Sequence, residues 1–265
     1  MVYGLLSVVE GRPLARAAFA GALELAPDRA TVLGLLGNTS LTLDHDPDAA
    51  FRWWERALTL QPRLAEVRAL YAMNGLMLVR QDEVRAMAEL ARAVQDDPRS
   101  AFCACINSLG LIATGRFAEA IAEVERGVDL APKAFLTLYL RSLVRACAGD
   151  ADGAIACAKT AFAVIGRSPW VLTGLPRAYV QRGEFARAEA VYVELQARAQ
   201  TEEVPRFVLS LAADALGRTD EAIAYAIESV ERCDYTGPYW TRASFFSDAL
   251  RAHPRYPELL RAIGL

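Results

Sequence analysis

Residues 115–120 read Gly115-Arg116-Phe117-Ala118-Glu119-Ala120. Nearly the same stretch returns as Gly183-Glu184-Phe185-Ala186-Arg187-Ala188 and as Gly217-Arg218-Thr219-Asp220-Glu221-Ala222. Gly149 keeps the beat between them, and each of these four glycines precedes an alanine by five residues. That alanine heads a second ladder. Ala120, Val124, Gly127 and Pro132 are spaced by four, three and five residues, as are Ala15/Phe19/Ala22/Pro27, Ala50/Trp54/Ala57/Pro62 and Ala86/Leu90/Ala93/Pro98. Fainter copies follow at Ala154/Ala158/Ala161/Gly166, Ala188/Tyr192/Leu195/Gln200 and Ala222/Ala226/Ser229/Asp234, with successive offsets of 35, 36, 34, 34, 34 and 34. Two ladders in one register mark an internal repeat, which must be recognised before domains are counted. Positions i, i+4 and i+7 share one helix face. Alanine there lets a second helix approach the first, and the bulky residue between fills the adjoining groove. Glycine in the turn takes φ > 0 without steric cost, and the closing proline ends the second helix.

A 34-residue unit with small residues at fixed sites and a final proline resembles the tetratricopeptide repeat, a helix–turn–helix module. Leu36-Gly37 carries the Leu-Gly pair of its first helix. The resemblance covers nearly the whole chain and implies an all-α fold: a right-handed α-solenoid of about six to seven hairpins with a C-terminal helical cap. The register places hairpins near 30–62, 65–98, 101–132, 135–166, 169–200 and 203–234, within an array over 1–234. An incomplete hairpin over 1–27 precedes them, its apolar end a surface for self-association. Gly237-Pro238 breaks the period, and 235–265 reads as a cap with short helices near 241–252 and 257–263. Pro176, inside an expected helix, predicts a kink close to Gly174.

The terminal run His253-Pro254-Arg255-Tyr256-Pro257-Glu258-Leu259-Leu260-Arg261-Ala262-Ile263-Gly264-Leu265 is similar to the end of a bacterial group in which such an array follows a winged-helix DNA-binding domain, a protein kinase or a nucleotide cyclase. Residues 204–222 resemble the last full repeat of that group. This second resemblance implies a regulatory arm; the effector modules themselves are absent from this sequence.

Composition agrees with helices. Of 265 residues, 49 are alanine against 17 glycines and 12 prolines, which favours helix over a β-sandwich. A net charge of −3 gives no general attraction for nucleic acid or anionic membrane. The longest uncharged stretches, 30–43 and 100–115, are shorter than a membrane span. Residues 1–10 lack the pattern of a signal peptide. Cys103, Cys105, Cys147, Cys157 and Cys233 form an odd set without metal-type spacing, which reads as buried thiols in a reducing compartment. The expectation is a cytoplasmic protein.

Chemistry has few candidates. Neither His45 nor His253 lies near a nucleophile in sequence, and no phosphate-cradling glycine loop, Gly-x-Ser-x-Gly elbow or Cys-x-x-Cys occurs. Asp44-His45-Asp46 could suggest a metal, but His45 stands in the turn slot of later glycines and Asp46-Pro47 is a ready helix cap. No catalytic residue, metal or cofactor is expected. The resemblance instead implies a non-catalytic scaffold that holds a peptide or partner domain in the concave groove lined by first helices. Asn38, Met73, Met77, Phe102, Leu109, Tyr139, Leu143, Trp170 and Arg177 fall on that face, after Thr31 at its start. Its apolar middle suits a hydrophobic helix or extended peptide, although Met and Leu serve equally well as packing. The carboxylate clamp of chaperone-tail arrays is excluded, because Gly34 stands where its lysine belongs and Leu70 where its second asparagine does. Arg141 and Arg145 break the local apolar rule four residues apart on one face. They suit either a carboxylate or phosphate contact or, with more weight, ion pairs to neighbouring helices.

Overall fold

The computed structural model describes residues 17, 18, 21–234 and 237–265. Most of the incomplete first hairpin, with the self-association surface read into it, lies outside the described residues. Six hairpins follow one another. The first is α1 (Ala30–Leu43) with α2 (Pro47–Leu60). The second is α3 (Ala65–Leu70), continuing as a π-helix over Tyr71–Val79, with α4 (Glu83–Asp96). Then come α5 (Ala101–Ala113) with α6 (Phe117–Leu130), and α7 (Phe135–Cys147) with α8 (Ala151–Ile165). The fifth joins α9 (Pro169–Leu172) and α10 (Leu175–Gln181) to α11 (Phe185–Arg198), and the sixth pairs α12 (Arg206–Ala215) with α13 (Thr219–Glu231). A 3₁₀ helix (Gly237–Arg242), α14 (Asp248–Arg251) and α15 (Tyr256–Ala262) complete the chain.

The alanine ladder is the seam of each hairpin. Ala50, Trp54 and Ala57 are wholly buried, as are Ala86/Leu90/Ala93, Ala154/Ala158/Ala161 and Ala188/Tyr192/Leu195. Asp46, Asp82 and Asp150 cap the second helices by accepting the N–H of Ala49, Arg85 and Gly153 at 2.8, 3.1 and 2.9 Å. Gly115, Gly149, Gly183 and Gly217 have φ between +73° and +84°, and His45 and Gln81 hold the same slot at +50° and +57°. A methyl added at Gly183 would meet nothing within 4 Å. Gly183→Ala therefore isolates the backbone cost, about 1–2 kcal/mol, expected as a lower urea midpoint at unchanged slope.

Two first helices depart from regularity, each for a local reason. The ladder step from Ala50 to Ala86 is 36 residues instead of 34. The surplus is taken up in the π-helix, whose wider turns hold extra residues; its ladder ends with Arg80 N–H donating to the Gly75 carbonyl at 2.9 Å. In the fifth hairpin the first helix is divided between Leu172 and Leu175. Pro176 has no N–H to offer the Leu172 carbonyl. Gly174 lets the break press on α7, since a Cβ there would lie 3.2 Å from the Leu143 Cα.

The segment expected as one helix over 241–252 is α-helical only at 248–251, with the end of the 3₁₀ helix at 241–242. Arg251 Nη1 instead gathers the carbonyls of Thr241, Ala243 and Phe246 at 3.3, 2.9 and 3.0 Å, folding that stretch into a tight turn. Ser247 then caps α14 through Leu250 N–H.

The array also closes on itself. His45 Nε2 lies 3.2 Å from the Val230 carbonyl, and Cys233 Sγ is 3.7 Å from the Leu43 carbonyl. The buried Tyr239 hydroxyl lies 3.2 Å from the Leu41 carbonyl and 2.8 Å from that of Ile263. The first described hairpin, the last one and the tail thus meet at one joint. Residues 237–265 pack on α13, but they also run back along the inner helices to the other end of the array.

Candidate interaction face

First and second helices differ in how they are buried. α4 buries a single stripe, Ala86, Leu90 and Ala93, whereas every residue of the π-helix and residues 207–214 of α12 are buried. A helix apolar on all sides must be covered on all sides. The outer helices cover one side of the first helices, and the tail covers the other.

The tail meets the C-terminal ends of successive inner helices. Beyond Tyr239 at Leu41, Arg242 Nη1 donates to the Leu78 and Val79 carbonyls at 2.7 and 2.6 Å, and Ser244 Oγ donates to Ile112 at 3.2 Å. These are the carbonyls a helix end leaves without an intrahelical partner. Burial pulls the Arg242 guanidinium below its usual pKa. Farther along, Arg177 donates to the Phe245 carbonyl and lies 3.3 Å from Cys147 Sγ. Asp214 receives the Ser247 N–H at 2.8 Å and its hydroxyl at 2.5 Å. A run of rings connects these anchors: Phe135–Tyr139, Tyr139–Trp170, Trp170–Phe207 and Phe207–Phe246, with centroids 6.2, 5.4, 6.4 and 6.0 Å apart.

The residues expected on a concave groove are distributed accordingly. Tyr139 and Trp170 touch within the ring run, Arg177 grips the tail, and Leu143 backs Gly174. Met77 lines a remaining cavity of about 210 Å³ with Gln81, Ala113, Arg242, Ser244 and Arg251. Met73 and Leu109 are buried in the core and Phe102 packs against it. Asn38 accepts the Asn74 side-chain amide at 3.1 Å. At Met77 and Arg177 that face is therefore met by the chain's own C-terminal segment. The cause is curvature: six hairpins bring the two ends together, leaving an interior the tail fills.

Arg141 and Arg145 share one carboxylate. Glu125 lies 2.7 Å from Arg141 and 2.8 Å from Arg145, and Arg145 also pairs with Asp150. Burial pushes the Glu125 carboxyl up, but the hydrogen bonds from both arginines outweigh it and hold its pKa below the ordinary value. Burial raises the thiols of Cys103 and Cys105 to about 11 and about 12, so both remain protonated. No group of His, Cys, Asp and Glu among the described residues could hold a metal ion. No helix among them is long and apolar enough to cross a membrane.

Sequence reasoning passed over Phe207, Asp214, Arg242, Phe246 and Ser247. Asp214 did carry a signal, an acid directly after the run Phe207-Val208-Leu209-Ser210-Leu211-Ala212-Ala213 and before Ala215-Leu216.

Asp234 closes the sixth hairpin, just beyond α13. Its carboxylate accepts the Phe207 N–H at 3.1 Å in a site where burial pushes its pKa up to about 6. The unfolded value is about 3.9. Between those values the folded chain holds the proton that the unfolded chain has lost. The stabilising contribution is complete below pH about 4 and disappears as pH rises through about 6. Asp234→Asn removes that dependence while keeping an acceptor for Phe207. Urea unfolding is expected to show the variant gaining about 2–3 kcal/mol on the parent between pH 4 and pH 7. A pH-independent difference would refute an ionising Asp234 as its source.

No family model matches the sequence, and no curated protein matches it. Solved structures do. Similarity to PilW, a widely conserved type IV pilus biogenesis factor, has a TM-score of 0.58 at 19% identity, spanning 76% of this chain and 90% of that one. A tetratricopeptide repeat protein from Parabacteroides merdae gives 0.57 at 13% identity, spanning 97% and 93%. A chain of the APC/C hetero-tetramer Cut9-Hcn1 gives 0.59 at 13% identity, spanning 97% of this chain and 52% of that one. With the 34-residue ladder, the hairpin seam and these neighbours in agreement, the chain has the fold of the tetratricopeptide-repeat proteins, an all-α right-handed solenoid.

Proposed function

We propose that this chain is a non-catalytic protein-interaction scaffold whose inner face receives a segment of a partner protein in place of its own residues 237–247. The observation that carries the reading is that this face already holds a peptide, anchored by Arg177 and Asp214 through main-chain groups and by Phe207 through a ring. Main-chain anchors and an aromatic platform are the means by which proteins hold extended segments. A structural neighbour is part of a hetero-tetramer, which supports assembly with another chain. The buried, protonated thiols of Cys103 and Cys105 suit the cytoplasm as the compartment. The alternative, a regulatory arm of a bacterial signalling protein, draws support from one observation. Residues 253–265, which resemble the end of such arms, help close the ring through Tyr256, Leu259 and Ile263, all buried.

A photo-cross-linking amino acid placed at the half-buried Trp170, and in a second chain at the exposed Arg92 of the outer layer, tests the scaffold reading in cells. Partner adducts are expected from position 170. Adducts formed only from position 92 would overturn the inner-face assignment.

A further inference from the structure

Charged groups that line the inside of the ring are used differently from those elsewhere in the chain. Half-buried arginines of the hairpins meet carboxylates: Arg141 and Arg145 meet Glu125, Arg206 meets Glu228, and Arg218 meets Glu189. Arg177 and Arg242 are also half-buried, yet among the described residues their partners are main-chain carbonyls and, for Arg177, a thiol. Asp214, only 6% exposed, spends its carboxylate on the N–H and hydroxyl of one serine. Taking a charge out of water is costly, and pairing with an opposite charge is the usual relief within a fold. Arg177 and Asp214 are directed instead at groups of the tail, through charge-assisted hydrogen bonds, the stronger kind. Two of the bonds go to main-chain atoms that any peptide would present. The third requires a hydroxyl, and the adjoining seat on Phe207 requires a ring.

On the reading that the inner face is the partner site, we infer that Phe245-Phe246-Ser247-Asp248 is a built-in pseudoligand. The partner then carries the same chemistry: two consecutive aromatic residues followed by a serine or threonine that caps an acidic helix start. Each element of that description has its counterpart in the tail. The first aromatic offers its carbonyl to Arg177 and its ring to Trp240, at 4.8 Å. The second aromatic, 2% exposed, extends the ring run beyond Phe207. The serine satisfies both oxygens of Asp214 while its own oxygen accepts Leu250 N–H at 3.2 Å. The acidic residue stands in the first turn of α14. Because the pseudoligand is tethered, it competes at an effective concentration on the order of millimolar. A partner with the same sequence reaches the seat only to the extent that the tail is out, and weakening the tail raises its apparent affinity.

The probe is a fluorescein-labelled synthetic peptide of residues 239–252, titrated by anisotropy into the 265-residue chain. The parent is expected to bind it weakly. Phe246→Ala in the chain is expected to tighten binding at least tenfold, and adding Asp214→Asn to reverse that gain. A peptide with alanine at both aromatic positions is expected not to bind. A folded Phe246→Ala chain that fails to take up the peptide would overturn the inference, as would binding that survives Asp214→Asn. Should Phe246→Ala not fold, Ser247→Ala is read in the same way. The parent with excess peptide supplies a third measurement: amide exchange at residues 245–251 must accelerate, and unchanged exchange refutes the exchange of tail for peptide. A partner that cross-links from position 170 while the peptide does not bind would sink this chemistry alone and leave the scaffold standing. Peptide binding without position-170 adducts would do the reverse.

Discussion

Trp54→Ala is expected to lower the unfolding free energy by about 3–5 kcal/mol, the largest loss from any single seam position. The indole is completely buried, edge-on to Phe51 at 6.1 Å and to Tyr71 at 6.3 Å. Its Nε1–H donates to the Gly34 carbonyl at 3.1 Å. Helix α1 is pressed directly against the ring, since a Cβ on Gly37 would lie 2.5 Å from it, and one on Gly75 would lie 3.1 Å away. The glycines that admit the indole have no side chains to refill its space, so the cavity left by alanine cannot collapse. Trp54→Phe keeps most of the packing but loses the bond to the Gly34 carbonyl, which stays within the hydrogen-bond ladder of α1, an expected cost of about 0.5–1.5 kcal/mol. In an array held by neighbour contacts, the damage should remain local at first. Amide exchange is expected to rise across α1–α3 before α11–α13. Denaturant titration with peptide-resolved exchange checks both parts, and undiminished stability of Trp54→Ala would contradict the packing described.

Tyr239→Ala is expected to cost a comparable amount, about 3–5 kcal/mol, with a different spatial signature. The side chain is fully buried at the joint, its hydroxyl close to a carbonyl of α1 and to one just beyond α15. Its loss should accelerate exchange in residues 30–43 and 256–263 together, although more than 200 positions separate them in sequence. It should also enlarge the radius of gyration measured by small-angle scattering. Tyr239→Phe retains the ring and is expected to cost about 1–2 kcal/mol, from the carbonyls it leaves behind. If exchange rose only in the tail, the two ends of the array would not be one cooperative unit.

The seam was legible because its determinants are local. Ala50, Trp54 and Ala57 lie within two turns of one helix, and the partner they need is the adjoining helix of the same hairpin. The turn slot was equally readable, down to His45 standing where glycine stands later. Pro176 marked the divided helix because the missing N–H is a property of that residue alone. Arg141 and Arg145 stood out as exceptions, while Glu125 became their partner only through the stacking of successive hairpins.

The inner face was legible in kind but not in state. Apart from Asn74 and Ser210, residues 71–79 and 207–213 are apolar, which already required cover on the side away from the outer helices. What supplied the cover was not written in any local pattern. Residues 237–247 look like the start of a cap, with Gly237 admitting close passage over Phe207, where a Cβ would lie 2.6 Å from that side chain.

By itself the sequence determined the repeat, the helix pairing, the turn geometry and the positions that must be small, because each follows from spacing within a single hairpin. Only the tertiary structure decided that the array closes and that its interior is filled by its own C-terminal segment. The physical reason is accumulation. Each hairpin adds a small rotation set by side chains at its interface, and the sum over six of them decides whether the ends meet. Once they meet, Tyr239, Arg242, Ser244 and Phe246 lie beside helices far away in sequence, where helix-end carbonyls and the ring of Phe207 hold them.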